Sequence, residues 1–198
     1  MSNNALVKLP NPNEQAISAQ TAYIATNGDQ FFGTVGAVTN TAVFVNGIDT
    51  PQQIQLSTDY CNLFIVKGED FCGGCFTIPK DKILINNRFP ALTTEAISEI
   101  KTYPSLFMDT NHDYRKCANP NQQFYYGIVT RIKEQIRGIK IHFQKLSVQP
   151  LSQQRLNEVA VTLGINTDNG VDVLDETGWI IKKMDLRREL TTNGIYYA

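Results

Sequence analysis

Apolar and polar residues alternate most regularly between Tyr125 and Gln144. In a straight extended chain Tyr126, Ile128, Thr130 and Ile132 share one face, and Tyr125, Val129, Arg131 and Lys133 share the other. After residues 135–138, Ile139, Ile141 and Phe143 point one way and Lys140, His142 and Gln144 the opposite way. A period of two with one apolar face predicts an antiparallel hairpin, and Gly138 reads as the permissive residue of its turn.

Shorter apolar runs predict further strands upstream, at residues 23–25, 31–35, 42–45, 54–56, 63–66, 76–78 and 82–85. Turn signals at Asn27-Gly28, Asn46-Gly47, Lys67-Gly68 and Asn86-Asn87 separate them. Such spacing suggests a small barrel or a tight sandwich. Helical spacing is confined to three short stretches. Thr93 or Thr94 caps residues 95–101, with Ile97 and Ile100 inward and Pro104 as the stop. Ser152 caps a helix running to Leu163, with Leu156, Val159, Ala160 and Leu163 on one face and Gly164 at its end. Leu186 and Leu190 mark a last helix over 185–190, closed by Asn193-Gly194. Residues 105–123 read as a long loop, of the kind that often carries function. Residues 1–18, with Pro10 and Pro12, read as an arm.

The motif Phe31-Phe32-Gly33-Thr34-Val35 returns as Tyr125-Tyr126-Gly127-Ile128-Val129, and each copy precedes a second apolar run, 42–45 and 139–142. Two units of one design are read here, as two barrels in tandem or two hairpins of one larger sheet, with chance likeness of two ordinary hairpins as the plain alternative; the internal glycine marks a bend. The bent first strand, the short hairpins and the Thr77-Ile78-Pro79 segment leading to Ile83 resemble SH3-like small barrels. That resemblance implies a binding fold without fixing the ligand. The expected fold is mainly β with a few short helices (α+β): an arm at 1–18, a barrel-like domain at 19–104, and a hairpin packed with C-terminal helices at 105–198.

Composition sharpens this picture. Charged residues are 19% of the chain and hydrophobic ones 42%, and abundant Asn and Gln suit turns and strand edges better than long helices. The net charge of −1 is unevenly spread. Residues 1–60 carry Lys8 against Glu14, Asp29, Asp49 and Asp59; residues 119–146 carry Arg131, Lys133, Arg137, Lys140 and Lys145 against Glu134. A basic strand face attracts phosphate or an acidic partner, or is simply solvated. With an aromatic interleaved, Tyr125, Arg131, Lys133, Lys140 and His142 have the ingredients of a single-stranded nucleic-acid platform. A pI of about 6.1 points away from a dedicated nucleic-acid binder.

The first residues show no basic region followed by an apolar run, and the apolar stretches are too short to cross a bilayer, so a cytoplasmic protein without a membrane partner is expected. Its cysteines are then expected to be reduced. Phe71-Cys72-Gly73-Gly74-Cys75-Phe76 could present two thiolates to zinc, with Cys61 and Cys117, or His112, completing the set. A redox role suits the motif less, because a strand-like run follows it rather than a helix. The plain alternative is a tight turn whose thiols act as small apolar groups. Cys117 near His112 keeps a cysteine-dependent enzyme open. No Gly-rich phosphate loop, His-Glu-x-x-His or Gly-x-Ser-x-Gly is present, and no catalytic residue is assigned. The leading expectation is a non-catalytic protein-interaction or assembly module with another protein as partner. A nucleic-acid-binding module using the basic hairpin face, zinc-stabilised, is the alternative.

Overall fold

The computed structural model describes residues 20–26, 29–35, 42–46, 51–85, 88–111, 117–165 and 173–197, with side chains from Ile54 onward. At the N-terminal end, β1 (Gln20–Thr26) pairs with β2 (Asp29–Val35), and β3 (Ala42–Asn46) with β4 (Pro51–Gln55), as two separate two-stranded sheets. The repeated aromatic-aromatic-glycine motif is therefore not a repeated hairpin. Gly33 sits in the second strand of its hairpin, opposite Ala22, and the apolar run after it pairs forward with β4.

The main sheet is built from β5 (Cys61–Ile65), β6 (Cys75–Pro79), β7 (Ile83–Leu84), β8 (Pro104–Met108), β9 (Gln123–Glu134), β10 (Gly138–Lys145), β11 (Leu151–Ser152) and β12 (Gly178–Lys182). Its order is β6-β10-β9-β8-β5-β12-β7, with β11 on the start of β9. β5 and β8 form its centre, paired in parallel and buried at every residue. A strand covered on both faces has no alternation to display. Residues 105–108, expected to be loop, are for that reason a central strand, with Pro104 at its first position where a proline is tolerated. The sheet runs from β6 to β7 without closing, so these strands do not make the small barrel the resemblance implied. The described residues are mainly β, with an open mixed sheet and three short α-helices, an α+β arrangement.

Two of the three helices pack on one face of the sheet and the first on the other. α1 (Thr94–Ile100), α2 (Gln153–Val159) and α3 (Leu186–Thr192) start at caps formed by the side chains of Thr93, Ser152 and Asp185. α2 buries Leu156 and Val159, with Ala160 and Leu163 beyond its last turn, and α3 buries Leu186 and Leu190; all pack on Leu63, Ile65, Leu106, Met108, Phe124 and Tyr126. Both ends close alike: the Ile165 N–H reaches the Ala160 carbonyl and the Ile195 N–H the Leu190 carbonyl, each at 2.9 Å, after Gly164 and Gly194 at positive φ. The opposite face is aromatic. There Phe107 stacks on Phe64 at 5.3 Å and meets Phe143 at 4.6 Å, and Phe71, Phe76, Trp179 and Ile100 of α1 fill the same layer.

Candidate interaction face

The β9–β10 hairpin contains a register shift that decides where its charges go. His142 lies opposite Arg131, but the next residue, Phe143, lies opposite Val129, which leaves Thr130 as a β-bulge. One extra residue inverts which face each later side chain takes. Before the bulge, Phe124 and Tyr126 face the helices while Tyr125 and Val129 face the aromatic layer. After it, Ile132 faces the aromatic layer, and Arg131 and Lys133 turn to the other side. Tyr125 and Val129 thus do not share a face with Arg131 and Lys133, as an uninterrupted strand would require. Glycine roles also differ from expectation. A Cβ on Gly138 would lie 2.5 Å from the Ile78 carbonyl oxygen, so this residue allows close β6–β10 pairing rather than a left-handed turn.

The shift gathers four basic side chains. Lys133 lies directly opposite Lys140, and Arg131 directly opposite His142. Thr77 and Cys75 of β6 continue these two rows. Arg131 and Lys133 are exposed, Lys140 and His142 half-buried. Among the described residues none of the four makes an ion pair. Glu134, the acid of this stretch, is held by Lys80 at 2.6 Å. Like charges directly opposite each other in a sheet destabilise it. The His142 pKa registers this environment: burial first, then Lys140, Arg131 and Lys133, hold it below its usual value. At the hairpin tip Ile136 is 97% exposed, next to the exposed Arg137.

Tyr125, grouped with these bases in the sequence, sits on the aromatic side. Its ring lies 6.5 Å from that of Phe71, and Lys145 Nζ stands 3.5 Å from its centroid. Phe71 holds a left-handed backbone, φ 56°, which a bulky residue rarely adopts. The Cys72 N–H donates to Asp70 Oδ1 at 2.8 Å, and the Phe71 ring is buried against Phe76, Phe107 and Phe143, which offsets the strain.

The cysteines are dispersed by the topology. Cys61 lies in the helix-side core, where burial pushes its thiol up to about 12. Cys75 lies on β6, four strand steps from β5, roughly 19 Å at a normal strand spacing. Cys72 stands near Tyr125 and Lys145, and Cys117 is exposed. Among the described residues no three His, Cys, Asp or Glu side chains are grouped to hold a metal. His112 lies outside the described residues, as does any pairing of it with Cys117.

Two buried amide clusters carry no sequence signal beyond amide abundance. Asn62 Nδ2 donates to Ser105 Oγ at 3.0 Å, and Asn62 Oδ1 accepts from Trp179 Nε1 at 3.2 Å, joining β5, β8 and β12 inside the aromatic layer. Asn111 donates to Asp175 Oδ1 at 3.0 Å and accepts from Gln153 and Asn157, which ties α2 to the end of β8. The first is bonded internally, whereas in the second the buried Gln153 Oε1 and Asn157 Oδ1 have no hydrogen-bond partner among the described residues. On the hairpin's basic side, by contrast, like charges face each other with no ion pair among the described residues. Compared with known proteins, the chain matches no family model, no curated protein and no solved structure.

Proposed function

We propose that this chain is a non-catalytic interaction module that docks an acidic segment of a partner protein on the basic side of β9–β10. The observation that carries this reading is the bulge at Thr130, which sets Arg131 and Lys133 against His142 and Lys140 with no acid among them in the described residues. Folding gains nothing from facing lysines, whereas an anionic partner converts the repulsion into attraction and faster encounter. Two features favour a protein over a single-stranded nucleic acid. The aromatic that would stack on bases, Tyr125, is on the far side of the sheet, and the apolar Ile136 stands at the end of the basic face.

Fluorescence anisotropy with a labelled Glu-rich peptide and a labelled oligothymidylate tests the reading at low ionic strength. The peptide is expected to bind in a salt-sensitive way, and the double variant Lys133→Glu/Lys140→Glu to weaken it by about tenfold or more. Tighter binding of the oligonucleotide would overturn the reading in favour of nucleic acid. No binding of either probe would remove the interaction face altogether.

A further inference from the structure

The hydrogen-bonding phase of β6 makes the outer edge of the sheet part of this face. In an antiparallel pair, hydrogen-bonded and non-hydrogen-bonded residue pairs alternate. The Phe143 N–H donates to the Gly74 carbonyl at 3.0 Å just beyond the ladder. Stepping along the register, Ile141 with Phe76 and Ile139 with Ile78 are the hydrogen-bonded pairs. The backbone groups of Cys75, Thr77 and Pro79 therefore point away from β10, toward the edge. β6 ends the strand order, and among the described residues no strand pairs with that edge. It offers the N–H groups and carbonyls of Cys75 and Thr77, and Pro79, which has no N–H and whose carbonyl opens the helical turn Lys80–Lys82, terminates it.

The side chains of the same residues lie on the basic face. Thr77 heads the row that continues through Lys140 and Lys133, and Cys75 the row through His142 and Arg131. Both are small, so Lys140 and His142 on the neighbouring β10, about 10 Å from an added strand at normal strand spacing, are the bases nearest to whatever occupies the edge. We infer that the acidic segment docks as an added strand on the outer edge of β6, extended, with alternate carboxylates lying over the basic rows. A partner of this kind gains main-chain hydrogen bonds from the edge and register from its alternating charges. A second copy of this chain does not fit the edge, because pairing β6 with β6 sets two basic faces side by side.

The inference rests on the docking reading above, and its test separates the two. Two peptides of identical composition are compared, one alternating Glu and Val, the other with its glutamates in one block. They are titrated into the full chain and into Thr77→Pro and Thr77→Val. The Thr77 N–H points outward, so proline removes a docking donor without breaking a β6–β10 ladder bond, and valine keeps that donor. The alternating peptide is expected to bind about tenfold more tightly than the block peptide, with the preference lost in Thr77→Pro and kept in Thr77→Val. If Thr77→Pro proves misfolded by circular dichroism, N-methylation of the alternating peptide removes the complementary hydrogen bonds, those its amides donate to the Cys75 and Thr77 carbonyls, with the same expected loss of preference. Equal binding of the two peptides, untouched by Thr77→Pro or N-methylation, overturns the added strand and leaves acidic docking standing. Failure of both peptides to bind overturns the docking reading and this inference with it.

Discussion

The two sides of the β9–β10 hairpin share one backbone and follow opposite rules. On one side Val129, Ile132, Ile139, Ile141 and Phe143 close over Phe71, Phe76 and Phe107, and the charge there, Lys145, is absorbed by the face of Tyr125. On the other, Arg131, Lys133, Lys140 and His142 face each other with no acid among them in the described residues. Packing explains the first side completely. The second costs the fold stability, and it is the side on which the proposed docking rests.

The largest effect should come from the packed side. Phe107 is buried and meets Phe64, Phe71, Phe76 and Phe143, so Phe107→Ala is expected to cost about 3–5 kcal/mol in denaturant unfolding. A loss under about 1 kcal/mol would show that this layer is not a tightly packed core. Next comes the device that keeps the two sides apart. Deleting Thr130 forces either Ile132 out of the aromatic layer or the basic residues into it. The expected cost resembles losing a buried isoleucine, about 2–5 kcal/mol, whereas Thr130→Ala should stay within about 0.5 kcal/mol. Equal effects of deletion and substitution would mean that the bulge does not sort the two faces.

That bulge also marks the limit of what the sequence discloses. The helix ends were legible because caps are local: Ser152 before α2, Gly164 after it, and the Leu186/Leu190 spacing of α3 need only neighbouring residues to be understood. β8 was not legible, since Leu106-Phe107-Met108 is buried on both faces and has no period to betray it. Nor was Thr130, because the run through Thr130 and Arg131 fits an uninterrupted strand equally well. The shift exists only in the pairing, where Phe143 takes Val129 as its opposite and β10 crosses so near Gly127 that a Cβ there would lie 2.2 Å from the Gln144 carbonyl oxygen. For the same reason the bases of the candidate face could be picked out as a group, while Tyr125 was assigned to the wrong side. Cys61 and Cys75 were grouped in a metal set that the strand order separates.

A smaller effect, with opposite signs for stability and binding, is expected from Lys133→Glu. It replaces a facing pair of lysines with an opposite-charge pair, and should raise stability by about 0.2–1 kcal/mol. The same change should weaken the acidic peptide by about tenfold. Thermal unfolding and anisotropy on one preparation check both. A variant that loses stability together with affinity would mean that the basic side holds the fold together and is not kept for a partner.

The smallest effect is one of pH, and it tests whether His142 belongs to the face. Its pKa lies below the ordinary 6.5 because burial, then Lys140, Arg131 and Lys133, disfavour the imidazolium; the Cys75 position on β6 completes its row. Below 6.5 the unfolded chain accepts a proton that the folded chain resists. Stability should therefore fall as pH drops from 6.5 toward the folded pKa, and level off below it. A docked carboxylate acts in the other direction: it favours the imidazolium, so the complex takes up a proton and affinity rises as pH falls through the same window. Measured between about pH 7.5 and 5.5, wild type should melt lower and bind the alternating peptide more tightly at the acid end, and His142→Gln should lose most of both trends. If the substitution leaves the pH dependence of binding intact, His142 is not in contact with the docked segment, and the face narrows to the Lys133–Lys140 row beside Thr77.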